Sequence, residues 1–273
     1  METSINKDTQ LCMSLSGRPG NFGTRFHNYL YRELGLNFIY KAFTTSDLLG
    51  VITGIRALSI RGCAVSMPFK EDCIQFIDEL DPSAKGIMSV NTIVNSGGFL
   101  KGYNTDYTAV YSLLRSLGVS NELEFVLRGS GGMAKAVACA LRDAGFSNGT
   151  IVARNESAGK AIASQYGYRR SSELSDETPG LLINVTPIGM AGGAEADELS
   201  FPVPMIETAE VVFDVVAIPA ETPLIRQAHD SGKPFISGAD VIVLQAVEQF
   251  VLYTGVRPTD DLIEKAAAFA RQA

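Results

Sequence analysis

The most chemically explicit stretch of the chain is "LRGSGGMAKA", which sets Gly129, Gly131 and Ala134 in a G-x-G-x-x-A spacing between an apolar run and a helix-like pattern. In such a turn the first glycine permits the tight bend, the second lets backbone approach a pyrophosphate, and the alanine lets helix and strand pack closely. The phosphates then face the helix N-terminal NH groups. Gly129, Ser130, Gly131, Gly132, Met133 and Ala134 are therefore assigned to dinucleotide binding. The next strand pattern ends "VARNE", with Ala153 and Asn155 neutral and Arg154 at the tip, where NAD sites carry an acidic residue for the ribose hydroxyls. A guanidinium there can form a fork with a 2′-phosphate. NADP is expected over NAD, with Glu156 as the nearby residue that could reach a ribose hydroxyl instead.

A second group lies in the first third. "VSMPFK" (residues 65–70) ends an apolar stretch with a cation, and "SVNTI" (89–93) and "GYNTDY" (102–107) put amides and carboxylates near strand or helix ends. Open α/β sheets bind ligands at the ends of their parallel strands, which brings Ser66, Lys70, Asn91 and Asp106 together as one candidate site. Taken singly, each has a plain structural reading: Lys70 solvated, Asn91 in a turn, Asp106 favoured in a first helical turn by the helix dipole.

The elements that must position these residues follow from apolar periodicity. In the first third, strand patterns "LCMSLSG", "FIYKAFTT", "GCAVSMPF" and "VNTIVN" alternate with amphipathic "TRFHNYLYRELG" and "DLLGVITGIRALS". This predicts one parallel α/β unit. From about residue 123 the pattern restarts as "EFVLRGSGG", "MAKAVACALRDAG", "TIVARN", "ESAGKAIASQYG", "GLLINVTP" and "EVVFDVVAIP", in the manner of a doubly wound nucleotide-binding sheet. The helical patterns "TDYTAVYSLLRSLG" and "DVIVLQAVEQFVLYTG" join the halves, so a cleft between two domains is expected. "TDDLIEKAAAFARQA" reads as a helix capped by Thr259, with Asp260 and Asp261 in its first turn.

Bulk properties exclude several functions. The 273 residues, 46% of them hydrophobic, are enough for two domains, and 23 Lys and Arg against 30 Asp and Glu give a net charge of −7, which disfavours nucleic acid as a partner. Cys12, Cys63, Cys73 and Cys139 show no metal-ligand spacing, and His27 and His229 are too few for a His-rich site, so no metal is expected. The polar start "METSINKDTQ" is no secretory signal, and no uncharged apolar run reaches the ~18 residues of a membrane span. A reduced cytoplasmic protein, monomeric or homodimeric, is expected.

Six segments occur in order: "VSMPFK", "SVNT", "NTDY", "GSGG", "NVTPIGM" and "GADVIVLQ". Together they resemble the shikimate dehydrogenase family, whose pattern runs V-T-x-P-[FY]-K, [AS]-V-N-T, N-T-D-G, G-x-G-G, N-x-T-P-x-G-M and G-x-x-M-L-x-x-Q, from about residue 12 to the C-terminus. The resemblance implies an oxidoreductase of aromatic amino acid biosynthesis that interconverts a ketone and a secondary alcohol on a cyclohexene carboxylate, using NADP. It implies a substrate domain from 1–104 plus 240–273 and a Rossmann-type NADP domain from 105–239. Lys70 and Asp106 match the family's catalytic pair: hydride leaves a carbinol carbon with proton loss from its oxygen, which a positioned Lys can take or return. By the same carry-over Ser66, Asn91 and Gln245 bond ring hydroxyls, and Gly238, Val215, Thr186 and the Ala153, Arg154, Asn155 tip line the cofactor.

The pattern breaks at two places. The family's first loop carries S-x-S for the substrate carboxylate, whereas "GRPGNFGTRFHN" (17–28) is two residues shorter and lacks it. Asn21 and Thr24 are the nearer candidates for that contact, with Arg18 or Arg25 as a source of charge, while Ser14 and Ser16 precede the turn and read as structural. In "DVVAIP", Ala217 stands where the family usually has tyrosine. Losing buried polar partners redirects recognition, so the divergent shikimate dehydrogenase-like branch is expected, with quinate or an amino-substituted shikimate as alternative substrates. Two other readings are a ligand sensor that binds NADP with negligible turnover and a methylene-tetrahydrofolate dehydrogenase-like enzyme; the "NTD" and "NVTPIGM" segments favour the shikimate branch over the latter.

Overall fold

Cys12, Met13 and Leu15 are buried in β1 (Gln10–Leu15), the apolar character expected of a strand covered on both faces. The computed structural model describes residues 5–175 and 178–272; the first four residues of the polar N-terminal stretch lie outside them. After β1 come α1 (Phe22–Glu33), β2 (Phe38–Phe43), α2 (Leu48–Ala57), β3 (Gly62–Val65), the one-turn α3 (Phe69–Asp72), β4 (Glu79–Leu80), the short α4 (Pro82–Lys85), β5 (Thr92–Ser96) and β6 (Phe99–Tyr103). Their sheet has the order β2-β1-β3-β5-β6-β4.

β1, β2 and β3 pair in parallel, as the sequence predicts, but β5 runs antiparallel to both β3 and β6. The second of these pairings has a local reason: Gly97 and Gly98 have φ of +63° and +92°, a left-handed pair that joins β5 to β6 as a tight hairpin in "NSGGF". The strand read as "GCAVSMPF" also stops early, at Val65. Ser66 still donates its N–H to the Leu15 carbonyl, and its own carbonyl then accepts from Phe69 in a turn closed by Pro68, which has no N–H to continue the ladder. Lys70 therefore sits in a helical turn, one step past the strand end.

Helices cover both faces of this sheet. On one, Phe26, Leu30 and Tyr31 of α1 pack with α10 (Gly238–Thr254) and α11 (Asp260–Arg271) around Cys12, Tyr40 and Phe250; on the other, Ile52 and Ile55 of α2 pack on Met13, Leu15 and Val65. Asn28 closes the free edge at β2, because its side chain both accepts from the Tyr40 N–H at 2.9 Å and donates to the Tyr40 carbonyl at 2.8 Å. Thr259 caps α11 by accepting from the Leu262 N–H.

The other elements are α5 (Thr105–Ser116), β7 (Phe125–Arg128), α6 (Gly132–Asp143), β8 (Gly149–Val152), α7 (Glu156–Tyr166), β9 (Arg169–Ser171), β10 (Leu181–Asn184), α8 (Val203–Thr208), β11 (Val211–Asp214), α9 (Pro223–Asp230) and β12 (Phe235–Ser237). The second sheet is parallel throughout, in the order β12-β11-β10-β7-β8-β9. With β7 as the first strand this is 3-2-1-4-5-6, the doubly wound order that reverses direction between its first and fourth strands. Contacts divide the chain into two units: residues up to Thr105 with those from Val243 onward, and Asp106–Ile242.

Candidate functional site

In the first unit the strand order reverses at β1, whose neighbours are β2 and β3, so a ligand belongs beyond the C-terminal ends of β1 and β3. The backbone is laced there: the Gly17 N–H donates to the Met67 carbonyl at 2.9 Å, the Val65 N–H to that of Asn91 at 2.7 Å and the Val90 N–H to that of Lys70 at 2.8 Å. These bonds bring Ser66, Lys70 and Asn91 to one end of the sheet, across a wide separation in sequence.

Asn91 is the fixed point. Only 3% exposed, its side-chain oxygen accepts from the Thr105 N–H at 2.8 Å, the Thr105 hydroxyl at 3.2 Å and the Thr92 hydroxyl at 2.8 Å. The backbone donor decides which way the amide faces. Its NH2 group makes no hydrogen bond among the described residues, which leaves both of its donors uncommitted. Gln245 accepts from the Thr105 hydroxyl at 3.4 Å, and one turn on, Gln249 donates to the Thr92 hydroxyl at 3.1 Å. Thr92, Thr105 and Gln249 are hydrogen-bonded neighbours of the candidates that the sequence motifs do not single out; their one signal is that Gln245 and Gln249 share a helix face at i, i+4. Asp106 follows Thr105 in the first turn of α5 and opens the second unit.

The first-loop candidates separate. Arg25 does not face a ligand: its guanidinium donates to the Phe269 carbonyl at 2.9 and 3.1 Å and lies 4.2 Å over the Phe269 ring, fastening α1 to α11. Ser16 accepts from the Arg18 N–H and shapes the turn. Asn21 stands exposed at the start of α1 without capping it, and the Thr24 hydroxyl has no hydrogen-bond partner among the described residues.

In the second unit a cavity of about 630 Å³ opens where the strand order reverses, lined by the loops after β7, β8 and β10. Gly129, Ser130, Gly131, Ala153, Arg154, Asn155 and Thr186 all line it. Gly129 has φ of +126°, and a methyl there would meet the Val185 carbonyl at 2.8 Å, so this residue must be glycine on both counts. Methyls at Gly131 and Gly132 would meet nothing within 4 Å, leaving the approach to the start of α6 open. Gly132, Met133, Ala134, Val215 and Gly238 do not line the cavity; Ala134 is buried under the loop, and Gly238 lies against the Val215 and Val216 backbone. Asn155 caps α7 by accepting from the Ala158 N–H at 3.0 Å. The glycine loop, the open helix start and the exposed Arg154 suit a phosphorylated dinucleotide.

Below the cavity, Asn184 ties the "NVTPIGM" turn to β11. Its oxygen accepts from the Thr186 N–H and hydroxyl, and its amide donates to Asp214 at 2.9 Å. Asp214 is fully buried and also accepts from the Thr222 hydroxyl at 2.6 Å and the Val216 N–H at 3.1 Å. Burial pushes its carboxyl up to about 6, against the pull of those hydrogen bonds. The four cysteines are buried free thiols; burial holds Cys12 and Cys73 up at about 12 and Cys139 at about 11, which makes them inert. Among the described residues no group of three His, Cys, Asp or Glu is placed to hold a metal, and no helix is long and apolar enough to cross a membrane.

Comparison with known proteins gives the same assignment from outside. The family model of the shikimate dehydrogenase substrate binding domain matches residues 22–93. A shikimate dehydrogenase-like protein of Haemophilus influenzae is 60% identical over 267 residues, 98% of each chain. The chain belongs to the shikimate dehydrogenase family. A shikimate dehydrogenase (NADP(+)) of Pyrococcus abyssi is 33% identical over 247 residues, 88% of this chain and 90% of that one. The structure of Thermus thermophilus shikimate 5-dehydrogenase in complex with NADP(H) and shikimate superposes with a TM-score of 0.84 at 28% identity, covering 96% of this chain and all of the other. Within the family this member keeps the "SVNT" and glycine-loop segments while its first loop departs from the S-x-S pattern.

Proposed function

We propose that this protein is an NADP-dependent oxidoreductase that interconverts a ring secondary alcohol and its ketone on shikimate or a close cyclic polyol carboxylate. The observation that carries the reading is the cavity at the second sheet's switch point, where a glycine loop and Arg154 meet in a chain of this family. The second unit, by this reading, holds NADP, and the first unit holds the ring. Bound NADP supplies the hydride acceptor or donor. Lys70 takes the proton from the carbinol oxygen as the alcohol is oxidised and returns it in reduction. Asp106, the other member of the pair, bonds a ring hydroxyl. Asn91 offers its amide donors to ring hydroxyls, joined by Ser66 and Gln245. Arg154 forks onto the 2′-phosphate.

The carboxylate end is where this chain departs from the family pattern. Asn21 and Thr24 take the place of the serine pair, and Ala217 leaves a further contact out. A ring whose polar groups were matched to that pair loses partners here, so quinate or an amino-substituted shikimate competes with shikimate as the preferred substrate.

A panel of ring alcohols, offered with NADP and with NAD and followed by reduced-nicotinamide absorbance, tests the reading. Turnover with NADP on at least one such acid is expected, and turnover on none overturns it. Lys70→Ala should lower turnover about 10²- to 10⁴-fold with NADP affinity intact. An unchanged rate would remove Lys70 from the chemistry.

A further inference from the structure

The last residue of β7, Arg128, stands where a strand entering a glycine loop is otherwise apolar: Phe125, Val126 and Leu127 before it are buried. Its half-buried side chain donates to the Ser200 carbonyl, which holds the guanidinium at the wall of the cavity that Arg154 also lines. Glu173 also lines the cavity, but no carboxylate ion-pairs with either arginine among the described residues. Burial lowers the pKa of Arg128 from the usual arginine range; the fields of Glu195 and Glu198 oppose the shift, and the field of Arg154 adds to it. Two guanidiniums thus face one cavity and repel each other there. An anion between them relieves that repulsion and gains charge-assisted hydrogen bonds from both.

We propose that Arg128 joins Arg154 in gripping the 2′-phosphate of the dinucleotide, and is a second determinant of NADP over NAD. The inference rests on the NADP reading above. Arg154 is exposed just past the end of β8 and makes no hydrogen bond or ion pair among the described residues, whereas Arg128 is pinned through Ser200. Arg128 therefore supplies the preorganised half of the grip, and Arg154 closes on it.

Affinities for NADP, NAD, 2′-AMP and adenosine, measured by titration calorimetry on the wild type, Arg128→Ala, Arg128→Lys and Arg154→Ala, test this without turnover. Arg128→Ala should weaken NADP and 2′-AMP about 10- to 100-fold, leave NAD and adenosine within about twofold, and be partly rescued in Arg128→Lys. Equal losses for NADP and NAD would mean that Arg128 only holds the Ser200 loop or stacks on the adenine, and would overturn the proposal. Discrimination lost in Arg154→Ala but kept in Arg128→Ala would also overturn it while the NADP reading stands. A wild type with no preference for NADP would bring down that reading itself.

Discussion

The two units place their candidate sites by different means. In the second, one continuous strand, loop and helix supplies the cradle, and the backbone does the positioning: Gly129 turns at φ +126°, Gly131 and Gly132 leave the helix start bare, and the cavity lies where the strand order reverses. In the first, the candidates Ser66 and Lys70, Asn91, and Gln245 come from three separate segments, and side chains add to the backbone bonds that tie the segments together. One amide oxygen on Asn91 gathers Thr92 and Thr105, and α10 brings Gln245 and Gln249 to the same hydroxyls. A site built from backbone depends on the few positions where no side chain fits. A site built from amides depends on every member of its network.

The most damaging single substitution strikes the backbone-built site at its one obligatory residue. Gly129→Ala puts a methyl 2.8 Å from the Val185 carbonyl and forces an L residue into a left-handed conformation. Local strain there costs about 1–3 kcal/mol before the clash is added. Cofactor binding, followed by nicotinamide fluorescence, should fall by about two orders of magnitude or more, while Gly132→Ala, whose methyl meets nothing, stays within a few-fold. Equal effects of the two substitutions would show that the loop is set by something other than its backbone.

The same contrast explains what is legible in the sequence. The doubly wound half announces itself because parallel strands are apolar runs and its motif is contiguous. The elements it conceals are β9 "RRS" and β12 "FIS", three residues each and too short to show a period, together with α8 and α9. α8 is six residues long, with Pro202 at its cap position and no side-chain cap to mark its start. Thr222 caps α9 by accepting from the Ile225 N–H, with Pro223 at the first helical position, a start signal that rests on very few residues. In the first half the hairpin signal "SGGF" is present but short, and it turns β5 back into an antiparallel β6 where a parallel unit is expected. Thr105 and Gln249 carry no signal of their own, because each acts by bonding another side chain from a distant segment.

Two buried titratable groups, one from each unit, extend the contrast, since their pH dependences have opposite sign. His27 in the first unit is fully buried, stacked 4.4 Å from Tyr40, and neither ring nitrogen has a hydrogen-bond partner of good geometry among the described residues. Burial pushes its pKa down to about 3 from 6.5, with the weaker influence of Gln249 opposing the shift. The unfolded chain therefore binds a proton that the folded chain refuses, and the stability His27 contributes is complete above pH 6.5 and lost as pH falls toward 3. The loss is on the order of 2 kcal/mol by pH 5 and more than twice that once complete. His27→Leu, of similar volume, should flatten the acid side of the melting-temperature profile between pH 6.5 and 5. A profile parallel to that of the wild type would mean that the folded chain protonates His27 as readily as the unfolded chain does, and burial does not hold it neutral.

Asp214 in the second unit has the smaller shift and acts in the opposite direction. Its folded pKa of about 6 lies above the ordinary 3.8, so the folded chain holds a proton that the unfolded chain has released. That contribution is complete below about pH 4 and is lost as pH rises through 6, a loss that approaches ~3 kcal/mol for a shift of this size. Hydrogen bonds from Asn184, Val216 and Thr222 keep the ionised form tolerable, which is why the network survives at neutral pH. Asp214→Asn imitates the protonated carboxyl: its oxygen still accepts from Asn184 and Val216, and its NH2 group faces the Thr222 hydroxyl, which can turn to accept. The melting temperature of the variant relative to wild type should therefore climb as pH goes from 4 to 7, whereas the advantage of His27→Leu grows in the other direction. A constant offset across that range would show that Asp214 keeps its charge state throughout, and the opposition between the two units would fall with it.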